Sequence, residues 1–430
     1  MTRRNGWCLS LLVALAVSLS ACGGTNPSNP SRSGKPQVTL TLMGNQEWVQ
    51  KPIIVRAIEL YEKQTGNRVE VQAFPIDTVD TLIRKRVAMG EISDIVIHFG
   101  GAGLSDLQPE NNFADMSGER WVADLKPAIV PRLTYKDKIY GLPLWESSIG
   151  GMLYNKEIFE KYDIPVPTNQ AEFFDACERL KKVGIIPVYL ASKDTWPLLP
   201  QYGIDFLVSK VPDLVESLNS NRIRFADIPE FRRMLEWYMR MKDGGYFGKN
   251  VLNNNWDSQP AALANGKYAM AMAWDVYLYT DLEKKFPGTA DKFGIMPNFM
   301  GGPDAKQFEG PNAAMLMVNK NGQHLQDAKA FIDFVSQPEI LNEIYRDLYT
   351  ETYFASVTSN KLTKQYEEAK SLIDKYLYPS VTPFIVGYSQ NEMGKLVQQM
   401  MIGSLSIDEA IAKMDDNRVQ AAKQRGIPGF

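Results

Sequence analysis

The sequence predicts an α/β protein in which mostly parallel sheets are covered by helices. Two observations carry that prediction: residues 37–101 alternate strand, helix, strand, helix, strand, and a second series of the same kind begins near Gly150. The chain has 430 residues, enough for two or three domains' worth of core, and shows no repeat at solenoid spacing.

The first predicted strand is the alternating β-branched run "PQVTLTLMG". In "WVQKPIIVRAIELYEKQTG", Ile54, Ala57, Ile58 and Tyr61 recur at three- and four-residue spacing, which predicts a helix ending at Gly66. "RVEVQAF" reads as a strand, "TVDTLIRKRVAMG" as a helix and "DIVIHFG" as a continuous apolar strand. Ligands of such sheets sit at the carboxyl ends of the strands, so Gly44–Trp48 and His98–Gly101 are expected at the rim. In the second series "PTNQAEFFDACERLKKVG" has Thr168 or Asn169 as N-cap and Gly184 as stop, followed by a strand in "IIPVYLA". A helix in "FRRMLEWYMRMKDGG" precedes "WDSQPAALANGKYAMAMAW", a helix feeding a strand, and the part from Gln326 onward is mostly helical.

Upstream, Arg3 and Arg4 precede an apolar run from Leu9 to Leu19, which is far short of the roughly 20 residues a spanning helix needs. That is the pattern of a secretory signal. Asn5, Gly6 and Trp7 fit a twin-arginine signal poorly, which favours the general export route. Leu19, Ser20, Ala21 and Cys22 resemble the bacterial lipobox, in which the cysteine is acylated and becomes the first residue. Acyl chains contribute about 0.8 kcal/mol per buried methylene, so two or more make a lasting membrane anchor. The stretch from Gly23 to Pro36 is rich in Gly, Ser, Asn and Pro and lacks apolar residues, so it reads as a tether.

Net charge is −3 without a sustained basic block, which argues against a nucleic-acid partner. With Cys8 in the signal and Cys22 acylated, Cys177 is the only other cysteine and no internal disulfide is possible. Cys177 shares a helical face with Phe173, Phe174 and Leu180 and is expected as a small buried residue. Eight Trp and 19 Tyr supply many side chains with an apolar face and a polar tip, a combination that suits carbohydrate as well as core packing.

Several stretches taken together resemble one family. They are the lipobox at Cys22, "YGLPLWESSIGGMLYNKEIFEKY" from Tyr140, "VPTNQAEFFDACERLKKVGIIPV" from Val166, "ALANGKYAMAMAW" from Ala262 and "AKAFIDFVSQPE" from Ala328. In this order they are similar to the extracellular solute-binding proteins of carbohydrate ABC importers, the group that includes maltose-binding protein. The resemblance implies a two-lobed, periplasmic-binding-protein-like (Venus flytrap) fold, with a hinge between lobes and a sugar in the cleft. It also implies ABC permease subunits as membrane partners, a monomer, and a position on the outer face of the cytoplasmic membrane, which suits a Gram-positive cell. The expected division is a signal peptide over 1–21, a tether over 22–34, lobe one over 35–147 and 300–349, and lobe two over 148–299 and 350–430.

A sugar has apolar faces and a hydroxyl rim, so its site needs flat aromatic surfaces plus in-plane donors and acceptors. Asn45, Glu47 and Trp48 follow the first strand and are candidates, with a capping turn and buried Trp as the bland alternative. The resemblance places Trp145 and Glu146 at the first crossing between lobes, a sugar-contacting position in similar proteins. It makes Trp274, at the end of "NGKYAMAMAW", an aromatic platform with Asp275 beside it. Trp196 and Trp256 lie in polar loops, and Glu309 and Asn312 precede a buried strand at the return crossing. Phe354 and Tyr388 are further candidates that core packing explains equally well, and His98 ends a strand at the rim.

No His-Glu-x-x-His, Gly-x-Ser-x-Gly or phosphate-cradling glycine motif is present, and there are only two histidines. No enzyme, cofactor or metal is therefore expected. The rival reading is a lipid-anchored glycoside hydrolase, since two cleft carboxylates suffice for that chemistry and Glu47, Glu146 and Asp275 would be the acids. A peptide or anion receptor of the same architecture is a third reading, and basic cleft loops would favour it.

Overall fold

A computed structural model describes residues 37–198 and 204–430; Cys22, the signal and the tether lie outside the described residues. Strands β1 (Thr39–Asn45), β2 (Arg68–Phe74) and β3 (Ile95–Phe99) are parallel neighbours, with Thr39 opposite Arg68 and Leu42 opposite Ile95. The helix Pro52–Thr65 buries Ile53, Ile54, Ala57, Ile58 and Tyr61 and ends where Gly66 takes φ +79°. Its start differs from the expected one. Pro52 has no N–H to continue a helix and forces Lys51 into extended backbone, so a separate short helix, Gln46–Val49, comes first. That break projects Glu47, Trp48 and Lys51 from a bend at the end of β1.

Next come a small hairpin, β4 (Thr134–Tyr135) with β5 (Lys138–Ile139), and then β6 (Gly150–Asn155), which opens a second sheet. β6 pairs antiparallel with β8 (Tyr268–Trp274) on one side, and β8 pairs parallel with β7 (Ile186–Tyr189). On its other side β6 takes β9 (Phe293–Met296) and β10 (Phe308–Glu309), both antiparallel. β11 (Ala314–Val318) returns to the first sheet antiparallel to β3, and β12 (Leu377–Tyr378) closes the second sheet parallel to β10. The first sheet is thus mostly parallel, as the sequence predicts, whereas the second is mixed. β6 enters from a crossing segment, so its direction is not set by a strand–helix–strand unit.

Each sheet carries its own apolar core. The first gathers Leu40, Leu42, Ile95, Ile97, Leu316 and Phe331, and the second gathers Phe173, Cys177, Leu180, Phe231, Trp237 and Met270. Cys177 is fully buried, as expected, and burial holds its thiol well above the usual range.

Among the described residues the chain passes between the two bodies three times: over 140–150, over 310–313, and over 358–363. Met300 packs in the second core and β10 pairs within the second sheet, so the chain re-enters the first body later than the expected residue 300. Tyr353, Phe354 and Val357 belong to the first core, which moves the last crossing beyond residue 349 as well. The segments are tied to one another: the Tyr345 hydroxyl donates to the Trp145 carbonyl at 2.8 Å, and the Tyr353 hydroxyl to the Asn312 carbonyl at 3.0 Å.

Candidate functional site

On the first body, β1 ends in Asn45, whose buried side chain accepts the Glu47 amide at 2.7 Å and caps the short helix. Asn45 is therefore the turn that presents Glu47 and Trp48, not an exposed contact. Half-buried Trp48 packs edge-to-face on Phe99, with centroids 4.8 Å apart, and on Trp145 at 5.9 Å. Trp145 is buried and Lys51 lies over its ring at 5.0 Å, so it backs Trp48 more than it offers a face of its own. Phe99, the third ring, lies in the predicted rim loop, where the sequence reading singled out His98 instead. His98 is 9% exposed and its Nδ1 is 2.7 Å from the Phe99 carbonyl.

On the second body three half-buried tryptophans from separate segments converge. Trp196 is nearly parallel to Trp274, at 6.2 Å and 16°, and 4.8 Å from Trp256. Asp194 holds this cluster together by accepting the Trp256 amide at 2.5 Å. Nothing in the local spacing of residues 196, 256 and 274 indicates that they meet, because β7 and β8 are brought together only by the sheet.

The Glu47 carboxyl is raised by the cleft walls that thin the water around it, then by Asp257 and Asp281 of the opposite body, with Asp194 adding to the effect and Lys51 opposing it. Asp194 and Asp257, which neighbour Trp196 and Trp256, are thus within electrostatic reach of Glu47 on the Trp48 loop.

At the crossings lies a polar group. Glu309 in β10 is buried and receives the Trp274 indole N–H. Arg132, buried and reaching over from the first body, donates to Asn312 Oδ1 at 2.9 Å and to the Ser380 carbonyl, and its guanidinium lies 5.1 Å from the Phe384 ring centre. Asp205 is fully buried, with Oδ1 accepting the Val381 amide at 2.9 Å. Tyr388 lies near both carboxyls, and burial holds its hydroxyl far above the usual range. Arg132 and Asp205 carry no sequence motif; a lone charge in an apolar stretch is the only hint, and it is a weak one.

Three predicted residues are placed elsewhere or already engaged. Asp275 is buried with both oxygens taken, Oδ1 by the Ile149 amide at 2.9 Å and Oδ2 by the Thr363 hydroxyl at 2.7 Å, so it clamps crossings and faces no open space. Glu146 is buried and ion-paired with Lys51. Phe354 is fully buried in the first core, bridging to Leu125. Among the described residues no cluster of three His, Cys, Asp or Glu is arranged to hold a metal, and no helix is long and apolar enough to cross a membrane.

Residues 44–340 match the model of a family described as bacterial extracellular solute-binding protein. An uncharacterized ABC transporter extracellular-binding protein of Pyrococcus horikoshii is 22% identical over 64% of this chain and 65% of its own length. The melibiose/raffinose/stachyose-binding protein MelE of Bacillus subtilis is 23% identical over 62% of each chain, so the match spans a little under two thirds of these curated relatives. A solved chitin oligosaccharide binding protein superposes with a TM-score of 0.78 at 21% identity, covering 90% of this chain and 100% of that one. The fold is that of the two-lobed binding proteins.

Proposed function

This chain belongs to the bacterial extracellular solute-binding protein family, and we propose that its cleft captures a carbohydrate, an oligosaccharide, for delivery to an ABC permease. The observation that carries the reading is the pair of aromatic sets, Trp48 with Phe99 and Trp145 on one body and Trp196, Trp256 and Trp274 on the other. Flat apolar surfaces with carboxyls along their edges suit sugar rings, whose faces stack and whose hydroxyls donate in plane. The names of the relatives, which bind raffinose-type sugars or chitin oligosaccharides, support the same class.

Each lobe offers half the contacts, and closure adds the second half while expelling water. The ligand shifts the balance only by its greater affinity for the closed state, and the permease reverses it by favouring the open one. A micromolar Kd is about −8.2 kcal/mol, within reach of a few stacked rings and buried hydrogen bonds. Calorimetric titration of the purified protein against neutral oligosaccharides, with reducing ends assayed in the same tubes, tests this. Saturable binding of unchanged sugar is expected. New reducing ends would instead establish the hydrolase, a reading weakened by the ion pair on Glu146 and the two occupied oxygens of Asp275.

The lipobox-like Leu19–Cys22 further supports acylation of Cys22 and attachment to the outer face of the cytoplasmic membrane. Cys22→Ala is expected to move the protein from the membrane fraction to the medium or soluble fraction. Retention in the membrane fraction would remove the anchor assignment.

A further inference from the structure

Where the two bodies meet beneath Trp274, buried oxygens from three separate segments are left without partners. Among the described residues Asp205 Oδ2, Glu309 Oε2, Ser380 Oγ and the Tyr388 hydroxyl make no hydrogen bond. Asp205, Glu309 and Ser380 are 0, 3 and 1% exposed, so bulk solvent does not reach them. An unmade hydrogen bond at a buried polar group costs about 1–3 kcal/mol, and four in one place is an expense that folding alone does not explain.

The group adjoins the aromatic platform directly. A Cβ placed on Gly150 would come within 2.8 Å of Glu309 Oε2 and 3.3 Å of Trp274 Nε1, so the glycine leaves the carboxylate and the indole edge side by side. Glu309 acts on the charge of Asp205, and both act on Tyr388. Burial raises both carboxyls, so the pair favours holding a proton, which gives it a donor as well as acceptors.

The balance of charge is also informative. The guanidinium of Arg132 is the cation acting on both carboxyls, and it is directed to Asn312 and to the Ser380 carbonyl. An incoming carboxylate would be buried beside a carboxyl pair that keeps a proton and an arginine already engaged by protein acceptors, with no uncommitted cation there to offset its charge. A sugar hydroxyl, which both donates and accepts, matches the unpartnered oxygens.

We propose that Asp205, Glu309, Ser380 and Tyr388 form a polar subsite beside the Trp274 platform that takes a hydroxyl-bearing, uncharged sugar ring and rejects a ring carrying a carboxylate. It rests on the reading of the cleft as a carbohydrate site and names the charge class of the ligand. Because Arg132 of the first body closes over the subsite, the ring enters while the bodies are apart and is enclosed as they approach.

The test titrates the purified protein at pH 7 with raffinose, maltotriose, cellotriose and triacetylchitotriose. The tightest binder is then compared with its counterpart oxidised to a uronate at the terminal primary alcohol. The uronate is expected to bind at least 30-fold more weakly. Asp205→Asn and Glu309→Gln are each expected to weaken the neutral sugar tenfold or more while narrowing the gap to the uronate, with no fall in thermal midpoint, since each removes a carboxyl that burial opposes. Equal affinity for the neutral and uronate forms in the wild type would overturn the proposal. So would variants that fold and bind the neutral sugar as the wild type does. Binding of none of the four sugars by the wild type would defeat the carbohydrate reading itself, and the subsite with it.

Discussion

Trp274→Ala is expected to weaken oligosaccharide binding about 30-fold or more while leaving the protein folded. The side chain ends β8 and is half-buried, with one neighbour nearly parallel, Trp196 at 6.2 Å, and another edge-on, Trp256 at 6.0 Å. Truncation removes the ring that both organises this surface and donates to Glu309. A factor of 30 is about 2 kcal/mol, comparable to the loss of one well-stacked ring and one hydrogen bond. Stability should fall by a similar amount, about 2 kcal/mol, because the ring is only partly enclosed and the cavity opens to the cleft. Trp274→Phe separates the two contributions, keeping an apolar face but losing the N–H, and is expected to fall between wild type and Ala. Calorimetry gives the affinities and a urea melt the stabilities. An Ala variant with unchanged affinity and a much lowered melt would place Trp274 in the core and move the platform elsewhere.

The aromatic platforms show what was readable in the sequence and what was not. Trp196 and Trp256 are suggested by their polar loops, because a large apolar ring beside Asp, Asn or Ser is poorly explained by burial alone, whereas Trp274 is suggested by the family resemblance. That they form one surface depends on the pairing of β7 with β8, and register between distant segments is a tertiary outcome with no local signal. The strand and helix alternation of residues 37–101 was legible for the opposite reason: period and stop residues are local, and Gly66 and Gly90 both take the left-handed conformation that ends a helix. Arg132 and Asp205 were missed because a buried charge is recognised by its partners, and those come from positions far along the chain. Asp275 was misassigned by adjacency: consecutive residues at a strand end point to opposite faces, so a platform at Trp274 turns its neighbour inward.

That opposition gives the last prediction. Asp275→Ala is expected to lower stability by about 3 kcal/mol and to change the sugar Kd of the folded protein by less than about threefold. The carboxylate is 3% exposed, accepting the Ile149 amide from the first crossing and the Thr363 hydroxyl from the last. Truncation strands a buried N–H and a buried hydroxyl together, a loss at the upper end of what single substitutions produce. Asp275→Asn keeps an acceptor for Ile149 and supplies a fold-preserving comparison. The pH dependence separates a clamp from a contact. Burial lifts the carboxyl to about 6, above its ordinary 3.8, so the folded state holds the proton more tightly than the unfolded chain. The stability this contributes is fully present below pH 3.8 and is lost as the pH rises through about 6, a change of about 3 kcal/mol for a shift of this size. Urea melts from pH 4 to pH 7 should therefore show the wild type losing stability more steeply than Asp275→Asn. Parallel curves for the two, or an Ala variant that melts normally but no longer binds sugar, would return Asp275 to the ligand site. The expected result makes it the residue that fixes where β8 meets the crossings, and with that the position of Trp274.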